Sequence, residues 1–394
     1  MLEPWLSIIG VGEDGLAGLG DVSRAALGNA HHVFGAPRHL ALAQVADRGT
    51  AWEVPFDLQP VLALRGQPVA VLASGDPFWF GAGGSICQHL QSGEWTAHPA
   101  PSTFSRAAAT LGWRLEDVQC LGLHATPLGA VRPWLRRGQR LVCLVRDGEA
   151  LLSLARLVSG HGFGAARAWA LERLGGPRER VRPFRLDAPE LPDLQAPLAL
   201  ALELDHGPLG LPTSNGLPDG LFAHDGQITK SPIRALTLRA LAPRPGECLW
   251  DLGAGSGSVS VEWCLSGGSA HAVERQESRA ANIRQNAEQF GVSHRLSVYT
   301  GDSRNCLATL PAPGAVFVGG GFDRALFDAI APALRPGGRL VVNSVTLETE
   351  ALLVQLHATH GGELLQVAMA QAQPLGRMRG WQPARPVVQW SVVL

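Results

Sequence analysis

The chain has 394 residues, enough for two domains with cores of their own, and its 33 Lys and Arg against 34 Asp and Glu leave a net charge of −1, which offers nucleic acid no basic field. Six scattered cysteines without a Cys-x-x-Cys pair speak for a reducing cytoplasm and against structural zinc, so no metal is expected. No apolar run reaches membrane-spanning length, and neither an anchor nor a signal peptide is expected.

The first element is an apolar strand, Trp5 to Gly10, running into GVGEDG. Gly10, Gly12 and Gly15 satisfy the dinucleotide pattern Gly-x-Gly-x-x-Gly, but the LAGLG that follows is too glycine-rich to open a helix. A helix fits only from about Asp21, a possible N-cap, to Asn29, and the next strand, His32 to Phe34, has no acid at its tip, so a nicotinamide site is rejected. A strand from Val69 to Ala73 then ends in SGDPFWFGAGG, followed by PAPSTFSRAAATLGW from Pro99. Further strands fall around Leu121, at Leu141 to Val145 and at Leu198 to Leu204, with HGFGAARAWALERLGGPRERV from His161 between the last two. Alternating strands and helices predict an α/β domain over residues 1–205.

Residues 206–225 are dense in Pro, Gly and Asn and support no regular element, so they are read as a linker. A second α/β domain spans 226–394 and opens with the helix of QITKSPIRALTLRAL. Next comes CLWDLGAGSGSVSVE: Leu249 to Leu252 as a buried strand, Gly253, Gly255 and Gly257 turning the backbone, and Val259 to Trp263 resuming as a helix. Strand, glycine turn and helix together make a ligand site, because glycine admits close approach and helix N–H groups face the gap. Asp251 precedes the glycines, the next strand, Ala270 to Val273, ends in Glu274, and Asp302 follows the strand Leu296 to Tyr299. Ser258 stands where a dinucleotide fold wants its third glycine, and this acid-glycine-acid-acid order looks like an S-adenosylmethionine (SAM) site of the class I methyltransferase type. Strands at Ala315 to Val318 and Arg339 to Ser344, helices from Asp323 and Leu347, and strands near Leu364 to Ala370 and Val387 to Val393 complete the chain.

These motifs carry a wider resemblance. GVGEDG, SGDPFWFG, PSTFSRAA and LGGPRERV resemble the tetrapyrrole methylases (class III), while TKSPIRA, DLGAGSGSVSVEW, AVER, GDS, VGGG and LRPGGRLVVNSVTLET resemble the decarboxylating class I methyltransferases of the cobalamin pathway. The resemblance implies two SAM molecules, one per domain, a tetrapyrrole substrate, methylation of carbon 5 by the N-terminal half, and methylation of carbon 15 with loss of CO2 from the ring C acetate by the C-terminal half. It also implies a cytoplasmic enzyme that is a homo-oligomer, with no nucleic-acid or membrane partner. Other readings of the motifs are a class I methyltransferase for another small molecule and a non-catalytic SAM-binding protein.

By the same resemblance Gly12, Gly75, Asp76, Pro77, Trp79, Ser102 and Phe104 hold SAM in the N-terminal half. Thr229, Asp251, Gly253, Ala254, Gly255, Ser256, Gly257, Glu274, Asp302 and Ser303 do so in the C-terminal half, with Glu274 on the ribose and Asp302 and Ser303 beside the adenine. Gly320 and Gly321 end the fourth strand, where the reacting edge of the substrate is expected. Lys230, the single lysine, and Arg234 are four apart and read as one helix face that grips substrate carboxylates, with Arg377 and Arg379 as weaker candidates. His124 and His161 receive no role. Two departures stand out: GVGEDG replaces a proline-glycine of related methylases, and Ala125 and Thr126 stand where a glycine-arginine pair is expected.

Overall fold

The computed structural model describes residues 4–394 apart from Ala46 and Val54. The chain divides into two compact units, Met1–Thr126 with Trp134–Leu209 and Pro127–Pro133 with Gly210–Leu394.

In the first unit β1 (Leu6–Val11), β2 (His32–Gly35), β3 (Gly49–Ala51), β4 (Val69–Ser74) and β5 (Trp95–His98) form a parallel sheet in the order β3-β2-β4-β1-β5. A parallel sheet is covered on both faces, which is why LSIIGV and VAVLAS run apolar without alternation. Neighbouring residues serve opposite faces: Ile9, Ala70 and Leu72 join one core cluster, and Ile8, Val69 and Val71 the other. A second sheet takes β6 (Val118–Gly122), β7 (Arg140–Val145), β8 (Arg167–Glu172), β9 (Arg180–Arg185) and β10 (Leu198–Glu203) in the order β6-β7-β10-β8-β9, parallel between β6 and β7 and antiparallel in its other pairs. After β1 the chain makes a 3-10 turn, Gly15–Gly18, before the helix Asp21–Asn29. The N-cap of that helix is Gly20, which has no side chain to cap with; Asp21 is already helical.

The second unit holds β11 (Cys248–Leu252), β12 (Ser269–Glu274), β13 (Leu296–Thr300), β14 (Ala315–Val318), β15 (Arg339–Ser344), β16 (Glu363–Val367), β17 (Ala370–Leu375), β18 (Met378–Pro383) and β19 (Val387–Val393). Seven of these make one sheet, β13-β12-β11-β14-β15-β19-β16, with β13 to β15 parallel and β19 antiparallel to both its neighbours. Strand order reverses between β11 and β14, which opens a crevice at the carboxyl ends of the strands. The helices Ser258–Leu265 and Glu277–Gln289 pack one face of the sheet through Val259, Trp263 and Ile283.

Two segments differ from the sequence reading. The expected strand reaching Ala370 stops at Val367, and the expected PLGRMRGW loop is a hairpin, β17 with β18, turning at Gly376 with φ +61°. Its residues are almost all exposed, so no buried face left a hydrophobic period to read. Residues 206–225 contain one 3-10 turn, Asp219–Leu221; those up to Leu209 belong to the first unit and those from Gly210 to the second, where Leu217 and Phe222 join the core and Phe222 stacks on Phe290 at 4.7 Å.

Candidate functional site

At the reversal point of the second sheet the chain leaves β11 through Gly253, Gly255 and Gly257, with φ of +68°, +59° and +70°, a region that side chains with a Cβ enter only under strain. Space forbids a side chain as well: a Cβ on Gly253 would stand 2.7 Å from the Gly320 carbonyl oxygen. The loop is tied down from β12. Gly253 and Ala254 donate their N–H groups to the Val273 carbonyl at 3.0 and 3.1 Å, and Gly255 donates to the Glu274 carboxylate at 2.9 Å. Glu274 also accepts from the Gln276 N–H at 2.9 Å, so its carboxylate is fixed at the strand tip.

These residues line a cleft of about 680 Å³, within the range of small-ligand sites. Of the sequence candidates, Thr229, Lys230, Gly253, Ala254, Gly255, Glu274, Asp302, Ser303, Gly320 and Gly321 all reach it. Asp251, Ser256 and Gly257 lie beneath it instead. Asp251 is fully buried and accepts from the Ser260 hydroxyl at 2.6 Å and the Ser260 N–H at 3.2 Å, bracing the following helix. Burial, with the nearby Glu274 charge adding, pushes its carboxyl up to about 6.

Arg234 is the clearest correction. It is not on an exposed face with Lys230 but is wholly buried, donating to Glu262 at 2.6 Å, to Asp219 at 3.2 Å and to the carbonyls of Thr229 and Leu217, with its guanidinium 4.7 Å over the Phe222 ring. Pro232 near the helix start places Lys230 at the N-cap with extended ψ of 145°, outside the helix, so the four-residue spacing does not align the two side chains. Arg234 therefore binds segment 217–229 to the helix carrying Glu262 and is unavailable to substrate. Arg377 and Arg379 lie on the exposed hairpin and do not line the cleft. The sequence reading missed Arg275, Arg385 and Asn343, which do. Arg275 stands next to Glu274 in AVER, the signal that could have found it.

The first unit has a cavity of about 580 Å³ lined by Gly12, Gly75, Trp79, Ser102 and Phe104. Gly75, φ +53°, donates to the Val11 carbonyl at 3.1 Å, and a Cβ on Gly10 would come within 1.8 Å of the Gly75 oxygen, so the ends of β1 and β4 meet without side chains. Asp76 and Pro77 do not line the cavity; Asp76 accepts from the Phe78 N–H at 2.9 Å and shapes the turn. Ser102 caps the helix Thr103–Leu111 through the Ser105 N–H at 3.1 Å. Charged residues missed in the sequence enter here. Arg38 pairs with Glu13 and donates to Ser74 at 2.9 Å, and Arg106 pairs with Asp14 at 2.7 Å. His39, beside Ser74 at 2.8 Å, is held down to about 4 by burial and then by Arg38, which keeps its ring neutral. His124 also lines this cavity, next to exposed Ala125 and half-buried Thr126.

Two families cover most of the chain: tetrapyrrole (corrin/porphyrin) methylases match residues 6–190, and a precorrin methyltransferase domain matches residues 220–394. A relative from Sinorhizobium sp, named precorrin-6Y C(5,15)-methyltransferase (decarboxylating), is 46% identical over 401 residues, covering 99% of this chain and 97% of the relative. Another from Pyrobaculum aerophilum, named "Probable cobalt-precorrin-6B C(15)-methyltransferase (decarboxylating)", is 34% identical over 181 residues, covering 44% of this chain and 92% of the relative. The solved C-terminal domain of precorrin-6Y C5,15-methyltransferase from Rhodobacter capsulatus is 56% identical, covers 47% of this chain and 100% of that one, and has a TM-score of 0.46.

Proposed function

The chain belongs to the family of decarboxylating precorrin-6Y C(5,15)-methyltransferases, and from that premise we propose that it converts precorrin-6Y to precorrin-8X, with carbon 5 methylated in the first unit and carbon 15 methylated and the ring C acetate decarboxylated in the second. It is a SAM-dependent methyltransferase of cobalamin biosynthesis, with a class III tetrapyrrole methylase domain followed by a precorrin methyltransferase domain on a Rossmann-like parallel sheet. The observation that carries the division of labour is that each unit has its own glycine-gated cleft at strand ends, of about 580 and 680 Å³. The Pyrobaculum relative supports the pairing of reactions, since its name couples carbon 15 methylation to decarboxylation.

The second cleft fits SAM on its own features: a glycine loop that admits no Cβ at Gly253, a fixed carboxylate at the second strand tip for the ribose hydroxyls, and Asp302 with Ser303 at the third. When bound, SAM supplies an electrophilic methyl group whose departure leaves a neutral thioether, so little acid-base help is required. The residues of the chain have three tasks: to hold the two reactants in line, to keep water out, and to grip the substrate's carboxylates. Glu274 and the loop serve the first. Lys230, Arg275 and Arg385, exposed at the cleft, serve the third. In the first unit the cavity offers Arg38 and Arg106 near its glycine turn, and neutral His39 is available as a hydrogen-bond partner without an added charge. We propose the boundaries 1–205, 206–225 and 226–394 for the two domains and their connection, cytoplasmic location and a homo-oligomer; among the described residues no helix is long and apolar enough to cross a membrane. Equilibrium dialysis with labelled SAM tests the reading directly. Two molecules bound per chain are expected, and a stoichiometry of one would refute the two-site assignment.

A further inference from the structure

We infer that Asn343 is a specificity-determining residue of the second cleft, holding the carboxylate that leaves as CO2 by a neutral amide N–H; the inference rests on the proposed function of that cleft. Asn343 sits near the end of β15 and lines the cleft beside Gly319 to Gly321 and Arg385. Its side chain is held by two buried polar side chains, Thr237 and Gln389, with which it forms a trio. Thr237, wholly buried, donates its hydroxyl proton to the Ile233 carbonyl at 2.9 Å, an atom that can only accept. With that proton spent, the Thr237 oxygen only accepts, taking Asn343 Nδ2 at 2.9 Å and Gln389 Nε2 at 3.1 Å. Gln389 Nε2 gives its other proton to Asn343 Oδ1 at 2.9 Å. One backbone carbonyl thus fixes every donor and acceptor in the trio, and the amide of Asn343 cannot turn over without breaking two bonds. The inventory leaves one N–H of Asn343 unspent on a residue that lines the cleft.

A polar trio of this kind adds little stability over apolar residues of similar shape; what it secures is orientation. The chemistry explains why a neutral donor is wanted. The cleft has cations without an ion pair or hydrogen bond among the described residues, Arg275 and Arg385, which suit carboxylates that must stay. An arginine on the departing carboxylate would stabilise the charged ground state and oppose its loss. An amide N–H orients the group with far less of that stabilisation. In the step itself the bond between the acetate methylene and its carboxyl carbon breaks, its electron pair enters the conjugated macrocycle, CO2 departs, and the methylene carbon takes a proton from water to become a methyl group.

The test uses the full-length chain with SAM and precorrin-6Y, following CO2 release and the mass of each species with time, and measuring SAM affinity separately. Asn343→Asp keeps the shape but removes the orienting N–H and repels the carboxylate out of the position from which it reacts. It should slow CO2 release by about tenfold or more, with carboxylate-retaining species accumulating, while SAM affinity changes less than about twofold. Thr237→Val leaves Asn343 in place but frees its amide to turn, and should slow CO2 release by about threefold with the KM for tetrapyrrole little changed. Unaltered CO2 release in either folded variant overturns the inference, as does a parallel loss of SAM affinity, which would assign the amide to the cofactor side or to the scaffold. Should Asn343→Asp fail to fold, Thr237→Val alone decides. A wild-type chain that releases no CO2 from precorrin-6Y would instead sink the function on which the inference rests.

Discussion

Replacing Arg234 by Leu separates a structural arginine from a substrate-binding one. The change removes a cation from among Glu262, Asp219 and two main-chain carbonyls, all in a region where Arg234 and Glu262 are 0% and 2% exposed. Glu262 keeps two main-chain donors, Gly216 at 2.7 Å and Leu217 at 3.0 Å, but loses its counter-charge. Breaking a buried pair from one side costs about 3 to 5 kcal/mol. For a unit of this size each kcal/mol lowers the melting temperature by about 2 to 4 °C, so a drop on the order of 10 °C follows. Calorimetry of the full chain should show one transition lowered by that amount and the other unmoved. Adding Glu262→Gln should recover part of the loss, because the stranded charge goes with it. A variant that melts like the wild type yet shows a raised KM for the tetrapyrrole would refute this placement and return Arg234 to the substrate.

Three further outcomes are expected. Asp251→Asn tests the buried carboxylate: its folded pKa of about 6 lies above the ordinary 3.8, so its contribution to stability is full below 3.8 and is lost as pH rises through about 6. At pH ~7 the buried charge is about 3 kcal/mol unfavourable, and the asparagine variant should melt higher there with a flatter profile between pH ~4 and ~6; an unchanged profile contradicts the shift. Glu274→Ala removes the fixed carboxylate at the β12 tip and the acceptor of the Gly255 N–H, so SAM affinity in the second unit should fall at least about tenfold by calorimetric titration, and an unchanged affinity would place the ribose elsewhere. Gly255→Asp puts an anion and a Cβ at φ +59°, 3.2 Å from the Gln227 carbonyl oxygen; product analysis should show methylation at carbon 15 and CO2 loss disappearing together while the methylation at carbon 5 survives.

The sheet strands were legible wherever burial on both faces forced an apolar run, as in Ala315–Val318 and in Leu340 to Val342 within Arg339–Ser344, two strands whose observed bounds are those read from the sequence. The β17–β18 hairpin was not, because residues that pack against nothing carry no period. The glycine loop and the acids at the strand tips were legible as a constellation, but not which of them face the ligand: Asp251 and Glu274 look alike in sequence, and only the fold turns one inward to Ser260 and the other to the cleft. Arg234 was misplaced because spacing was read through a helix that begins only at Ser231, one residue after Lys230. A signal was available in SVSVEWCL, where Glu262 is the sole charge in a buried helix and demands a buried cation. The Thr237, Asn343 and Gln389 trio joins residues up to 152 positions apart, a separation at which nothing in one sequence marks them as partners.

The central claim is that one chain carries out both methylations and the decarboxylation. The mass of the product formed when the purified chain is given precorrin-6Y and excess SAM tests it most directly: two methyl groups gained and one CO2 lost is the result the account predicts, and a product with a single methyl gained and its ring C acetate intact would contradict it.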